Sequence, residues 1–236
     1  MTRPAEALTA PDAEAPIPDL VGNILGASQY ISPSYWFNEV ATRMCHTDPM
    51  SWISEQFAGD WESVQKASVA LNNLSTFSSD YSGALTTGTA DLLHEGEGHA
   101  ADEAGQYFAT YARDLESQAK AIGQIADQVR QQALGMYEAS NAVKDLWGTL
   151  FDMILTAAIS MAAAVFTGGV GAVVGGGATL AEIAAAAKVW SNIVEVTGEA
   201  WTGAQGSVGL IAGYLGGMQT ISVPALPSVA YDHPGV

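Results

Sequence analysis

Apolar positions recur every seven residues over two long stretches of this chain, and the stretches meet at one short glycine-bearing break, Leu92 to Ala104. Before the break, Val64, Leu71, Leu85 and Leu92 share a register in which Ser78 is the exception. Ala67, Leu74 and Tyr81 fill a companion register, interrupted at Gly88. After the break, Ala101, Phe108, Leu115, Ile122, Val129, Met136, Val143, Leu150 and Ala157 keep strict seven-residue spacing, with Tyr111, Ile125, Leu146 and Met153 three positions on. A repeat sustained this long holds one helical stripe toward a partner helix. The pattern predicts an all-α fold: an elongated antiparallel helical hairpin or bundle. Its pairing seam is Val64, Leu71, Leu74 and Leu85 on the first arm, and Phe108, Leu115, Ile122, Val129, Met136, Val143 and Leu150 on the second.

The rest of the chain divides around that hairpin. Residues 1–18, rich in Ala, Pro and acids, read as a disordered tail. Residues 19–58 carry Tyr30, Tyr35, Trp36, Phe37, Trp52 and Phe57 around Pro33 and Pro49, a pattern for short aromatic-rich helices. Ser32 before Pro33 and Asp48 before Pro49 are two helix-start signals. The hairpin occupies 59–152, with Asp60 suited to cap its first helix and Glu62 to its positive end. Its second helix is expected from about Ala100 to Ile154. An Ala/Gly-rich helical region follows over 153–222, then a tail over 223–236 beginning near Pro224. No proline interrupts the chain between Pro49 and Pro224, so nothing in that span lacks a backbone donor.

Met153 to Ala181 contains no charged residue, which leaves two readings open. Gly168, Gly169, Gly171, Gly175, Gly176 and Gly177 suit either a glycine turn between closely packed helices or a membrane-inserted segment. Residues 180–200 form a further helix, with Ile183, Val189, Trp190, Ile193, Val194 and Val196 as its apolar side. A last glycine-spaced helix is expected over 206–217, after Trp201-Thr202-Gly203.

Charge narrows the partners. A formal net charge of -17 opposes docking on nucleic acid or an anionic lipid surface, and the eight basic residues are scattered. The single cysteine, Cys45, cannot form an internal disulfide. The start, Met1 to Ala7, lacks the basic and apolar regions of a secretory signal, so any export is expected to bypass the general signal-peptide route. Arg113, Glu116, Lys120, Asp127, Arg130, Glu138 and Lys144 form the solvated face of the second arm.

Little in the sequence carries chemistry. His94-Glu95-Gly96-Glu97-Gly98-His99 invites a metal reading, but helical zinc ligands stand four apart on one face, and here two glycines intervene at a spacing of five. The cluster reads instead as the hairpin turn, formed by His94, Glu95, Gly96, Glu97 and Gly98. Cys45-His46 lacks a context that would activate a nucleophile, and the glycine run at 168–177 has no lysine to cradle a phosphate. The expectation is a protein with no catalytic residue, no metal and no cofactor.

The order of these features resembles the WXG-type helical-hairpin superfamily of type VII (ESX-like) secretion substrates, in its longer actinobacterial form. The residues that carry the resemblance are Ser32-Pro33-Ser34-Tyr35-Trp36, Phe57-Ala58-Gly59-Asp60-Trp61-Glu62, and the turn from Glu95 to Ala104 followed by Tyr107-Phe108. Where that family carries tryptophan-x-glycine at the turn, this chain has His94 or Glu97 in the tryptophan's place, and Tyr137 is followed four residues later by Asn141 rather than an acid. The literal Trp201-Thr202-Gly203 lies outside the hairpin. The resemblance implies a non-enzymatic interaction or delivery module, secreted without a signal peptide or associated with the cell envelope. It also implies pairing with a helical protein or with itself, and handling by a type VII apparatus. The alternative is a membrane-active or pore-forming protein using the uncharged segment 153–181.

Overall fold

The structure, a computed structural model, describes residues 3–13, 15–26, 35–166, 172–221 and 223–225, and gives the backbone alone for 35–39, 160–166 and 172–180. It is all-α: among the described residues there is no strand, and the helices are α1 (Leu20–Leu25), α2 (Tyr35–Cys45), α3 (Pro49–Phe57), α4 (Trp61–Glu95), α5 (His99–Phe166) and α6 (Ala172–Gln219). The absence of internal proline lets α4, α5 and α6 run for 35, 68 and 48 residues.

Local signals set the starts. Asp19 caps α1 by accepting from the backbone N–H groups of Val21 and Gly22 at 3.2 and 3.1 Å. Asp48 caps α3 in the same way, accepting from Met50 and Ser51 at 3.0 and 3.3 Å, with Pro49 at the first helical position. The start expected at Ser32-Pro33 lies outside the described residues.

The chain forms two compact units. The hairpin unit comprises Met1–Ala15, Ser63–Gln131 and Gly206–Val236, and the core unit comprises Pro16–Glu62 and Gln132–Gln205. In the core unit α3 packs on both α1 and α2. Leu20, Ile53, Phe57, Val143, Leu150, Ile154 and Ile193 are fully buried there, each such side chain contributing about 1.5–3 kcal/mol of apolar burial. Trp52 meets Trp190 edge to face at 5.1 Å, joining α3 to α6. Asn23 fixes α1 on α5: its Nδ2 donates to Asn141 Oδ1 at 2.9 Å, and its Oδ1 accepts from Lys144 Nζ at 3.1 Å.

Several expected boundaries move. The second arm does not end near Ile154; α5 continues to Phe166, because the uncharged run after Met153 offers no breaker before the glycines. No break occurs at Trp201-Thr202-Gly203, since α6 passes through it to Gln219. In the segment expected as a disordered tail, Pro4–Ala7 form a 3-10 turn, Ile17 is buried, and Asn73 Nδ2 and Gln65 Nε2 of α4 donate to the carbonyls of Thr9 and Ala15. Prolines 4, 11, 16 and 18 restrict this segment's conformations, so laying it along α4 costs less entropy than ordering a free chain.

Candidate interaction surface

The two arms of the hairpin unit approach through small residues. Ser75 Oγ donates to the carbonyl of Ala119 at 2.7 Å, and Ser82 Oγ donates to that of Ala112 at 2.7 Å. These bonds are seven residues apart on both helices, so one antiparallel register runs along the pair and places Ser68 opposite Ala126 and Thr89 opposite Gly105. A hydroxyl can reach the backbone of the next helix only when nothing larger than a methyl group intervenes. Two glycines mark the same closeness: a Cβ on Gly123 would stand 3.1 Å from Ser75 Oγ, and one on Gly105 would stand 3.0 Å from Leu93 Cδ1. Ser79 Oγ adds a bond to Glu116 Oε2 at 2.8 Å.

This shifts the expected seam. On α5 the innermost register of this unit is Gly105, Ala112, Ala119 and Ala126, four positions after the expected one, and it continues in the core unit as Ala133, Ser140, Trp147 and Ile154. Of the expected seam residues, Ile122, Met136, Val143 and Leu150 are buried, while Phe108, Leu115 and Val129 are half-buried flanks. On α4, Val64, Leu71 and Leu85 are half-buried, and Leu74 turns outward with 40% of its surface exposed. The buried α4 positions of this unit are Ser68, Ser78 and Ser82. A search weighted by hydrophobicity passes over serine and alanine; only their own seven-residue spacing signals them.

The turn that joins the arms is shorter than expected, because His94 and Glu95 still belong to the last turn of α4 and only residues 96–98 lie between the helices. Glu95 ends α4 and His99 begins α5. Gly96 N–H donates to Leu92 O at 2.8 Å, and a side chain at Gly96 would strike that same oxygen. Gly98 has φ +94°, a left-handed conformation that favours glycine, and its carbonyl accepts from Ala101 and Asp102. His94, Glu95 and Glu97 are exposed, and His99 stands 3.9 Å from Glu103. Among the described residues no group of three His, Cys, Asp or Glu side chains could hold a metal ion.

An open groove of about 570 Å³ runs beside the serine seam, lined by Ser82, Thr86, Thr89, Ala109, Ala112, Arg113, Glu116, Ser117 and Lys120. Its four hydroxyls already donate to backbone carbonyls, of Ala112, Ser82, Leu85 and Arg113 respectively, so each can only accept from a ligand. Glu116 is engaged by Ser79 and Lys120.

Cys45 is buried, and burial pushes its thiol up to about 12 because the thiolate would lose its hydration. The native protein is therefore expected to resist iodoacetamide at pH 8 and to take up one equivalent in urea. Rapid native labelling, followed by mass spectrometry, would contradict the buried placement.

The uncharged stretch falls partly beyond view. Gly168, Gly169 and Gly171 lie outside the described residues, and Gly175, Gly176 and Gly177 lie on helical backbone near the start of α6. Among the described residues no helix is long and apolar enough to cross a membrane. Comparison with family models, with curated proteins and with solved structures returns no match.

Proposed function

We propose that this chain is a non-enzymatic helical interaction module of the type VII secretion substrate class, secreted or held at the cell envelope. One observation carries the reading. The hairpin unit zips its arms mainly with small residues and leaves several of its large apolar side chains exposed. Its buried positions are serines, alanines, Gly105, Ile122 and Ile125, whereas Leu74, Tyr81, Leu92, Leu93, Val208, Leu210 and Leu215 are exposed. Apolar area left in water at this density marks a surface that another protein covers. The order of short aromatic helices, a glycine turn and two long arms supports the secretion class.

The test is export. An epitope-tagged chain, produced in an actinobacterium with a type VII apparatus, should accumulate in the medium or envelope fraction. It should stay in the cytoplasm when the secretion ATPase of that apparatus is deleted. Equal amounts outside the cell in both strains would sink the reading.

A further inference from the structure

The amino-terminal segment is held on α4 by two amide side chains. Asn73 Nδ2 donates to the carbonyl of Thr9 at 3.2 Å and to its Oγ1 at 3.1 Å, and Gln65 Nε2 donates to the carbonyl of Ala15 at 3.2 Å. Gln65 and Asn73 stand just over two helical turns apart, on another face of α4 than the outward stripe of Ala67, Leu74 and Tyr81. Apolar burial adds little to this contact. Leu8 is 52% exposed, and among the described residues from 3 to 16 no side chain is buried. The chain is fastened only at Ile17, which is buried, and at Asp19, which caps α1.

One of the two amides works against the contact that it makes. Gln65 Oε1 is shut away from solvent and accepts no hydrogen bond. Such an orphaned acceptor costs as much as an exposed hydrogen bond returns, or more. The bond to Ala15 holds the amide in that position, and once it breaks, the half-buried side chain can turn its oxygen to water. Docking therefore carries a penalty that undocking removes. Against it stand the two bonds from Asn73, and Pro4, Pro11 and Pro16, which limit the entropy that a free segment regains. Opposing contributions of similar size place this opening well below the unfolding of either unit.

We infer that the segment is a releasable strap, which detaches from Asn73 and Gln65 and stays fastened at Ile17 while both units remain folded. Docked, it occupies both amides of α4. Released, it frees them and presents Glu6 and Asp12 on an arm punctuated by proline.

A protease that cuts before aspartate reads the strap at Asp12, since clipping follows the open population when reclosing outpaces cleavage. The full chain should be clipped there about fivefold to thirtyfold more slowly than a synthetic peptide of residues 3–18, and circular dichroism of the clipped chain should retain its helicity. Asn73→Ala should raise the rate to near that of the peptide. Gln65→Leu should lower it, because the orphaned oxygen is gone and water takes over the exposed Ala15 carbonyl. Asn72→Ala, at an exposed neighbouring position, should leave the rate unchanged. Clipping as fast as the peptide would mean a tail that never docks. Clipping only in urea that unfolds the chain would mean a segment that never leaves. Either result overturns the inference, as does an Asn73→Ala chain clipped at the native rate or a Gln65→Leu chain clipped faster.

Discussion

Replacing Phe57 by alanine should lower the stability of the core unit by about 3–5 kcal/mol, the range for truncating a buried aromatic side chain and leaving its cavity behind. Phe57 is the last residue of α3 and is completely buried. Its carbonyl accepts from Trp61 Nε1 at 3.1 Å, so the same residue ties the end of α3 to the first residue of α4. That backbone bond survives the substitution, which isolates the packing loss. Urea unfolding followed by tryptophan fluorescence is the suitable measurement, because Trp36, Trp52, Trp61, Trp147, Trp190 and Trp201 all belong to the core unit. Two units need not unfold together, so a signal confined to one of them is required. A loss below about 1 kcal/mol would mean that Phe57 does not carry this core.

Ala119→Leu acts on the hairpin unit through the opposite fault. Ala119 is buried where Ser75 Oγ reaches its carbonyl, and the added branched side chain must push the arms apart. Overpacking costs about 1–3 kcal/mol, and the stretched serine bond adds about 1 kcal/mol. Amide hydrogen exchange should accelerate over residues 63–131 and much less over 132–205. Gln106→Leu, at an exposed position of α5, should leave exchange unchanged. Equal acceleration in both units after Ala119→Leu would show that the small-residue contact is not local to the hairpin.

The expected seam was displaced by one helical turn for a reason that both substitutions expose. Large apolar residues on α5 flank the contact in the hairpin unit, and the innermost positions go to alanine and glycine, because serine hydroxyls on α4 must reach α5 carbonyls. In the core unit the same register holds Trp147 and Ile154, where bulk can be accommodated. One heptad therefore serves two kinds of packing, and side-chain size along it marks the change. Leu74 shows the consequence: it shares seven-residue spacing with Ala67 and Tyr81, but that spacing belongs to the outward stripe rather than to the seam.

By itself the sequence determined the all-α class, the cap at Asp48, the length permitted by the missing prolines, and the turn at Gly96 to Gly98, whereas the cap at Asp19 emerged only in the structure. These depend on local rules: backbone donors, side-chain caps and glycine's access to left-handed φ. Only the tertiary structure decided which of several seven-residue registers faces inward. Spacing defines a stripe on a helix, but the depth of its burial depends on how closely the neighbouring backbone can come. Here Ser75 and Ser82 set that distance, and through it they leave Leu74 and Tyr81 in water.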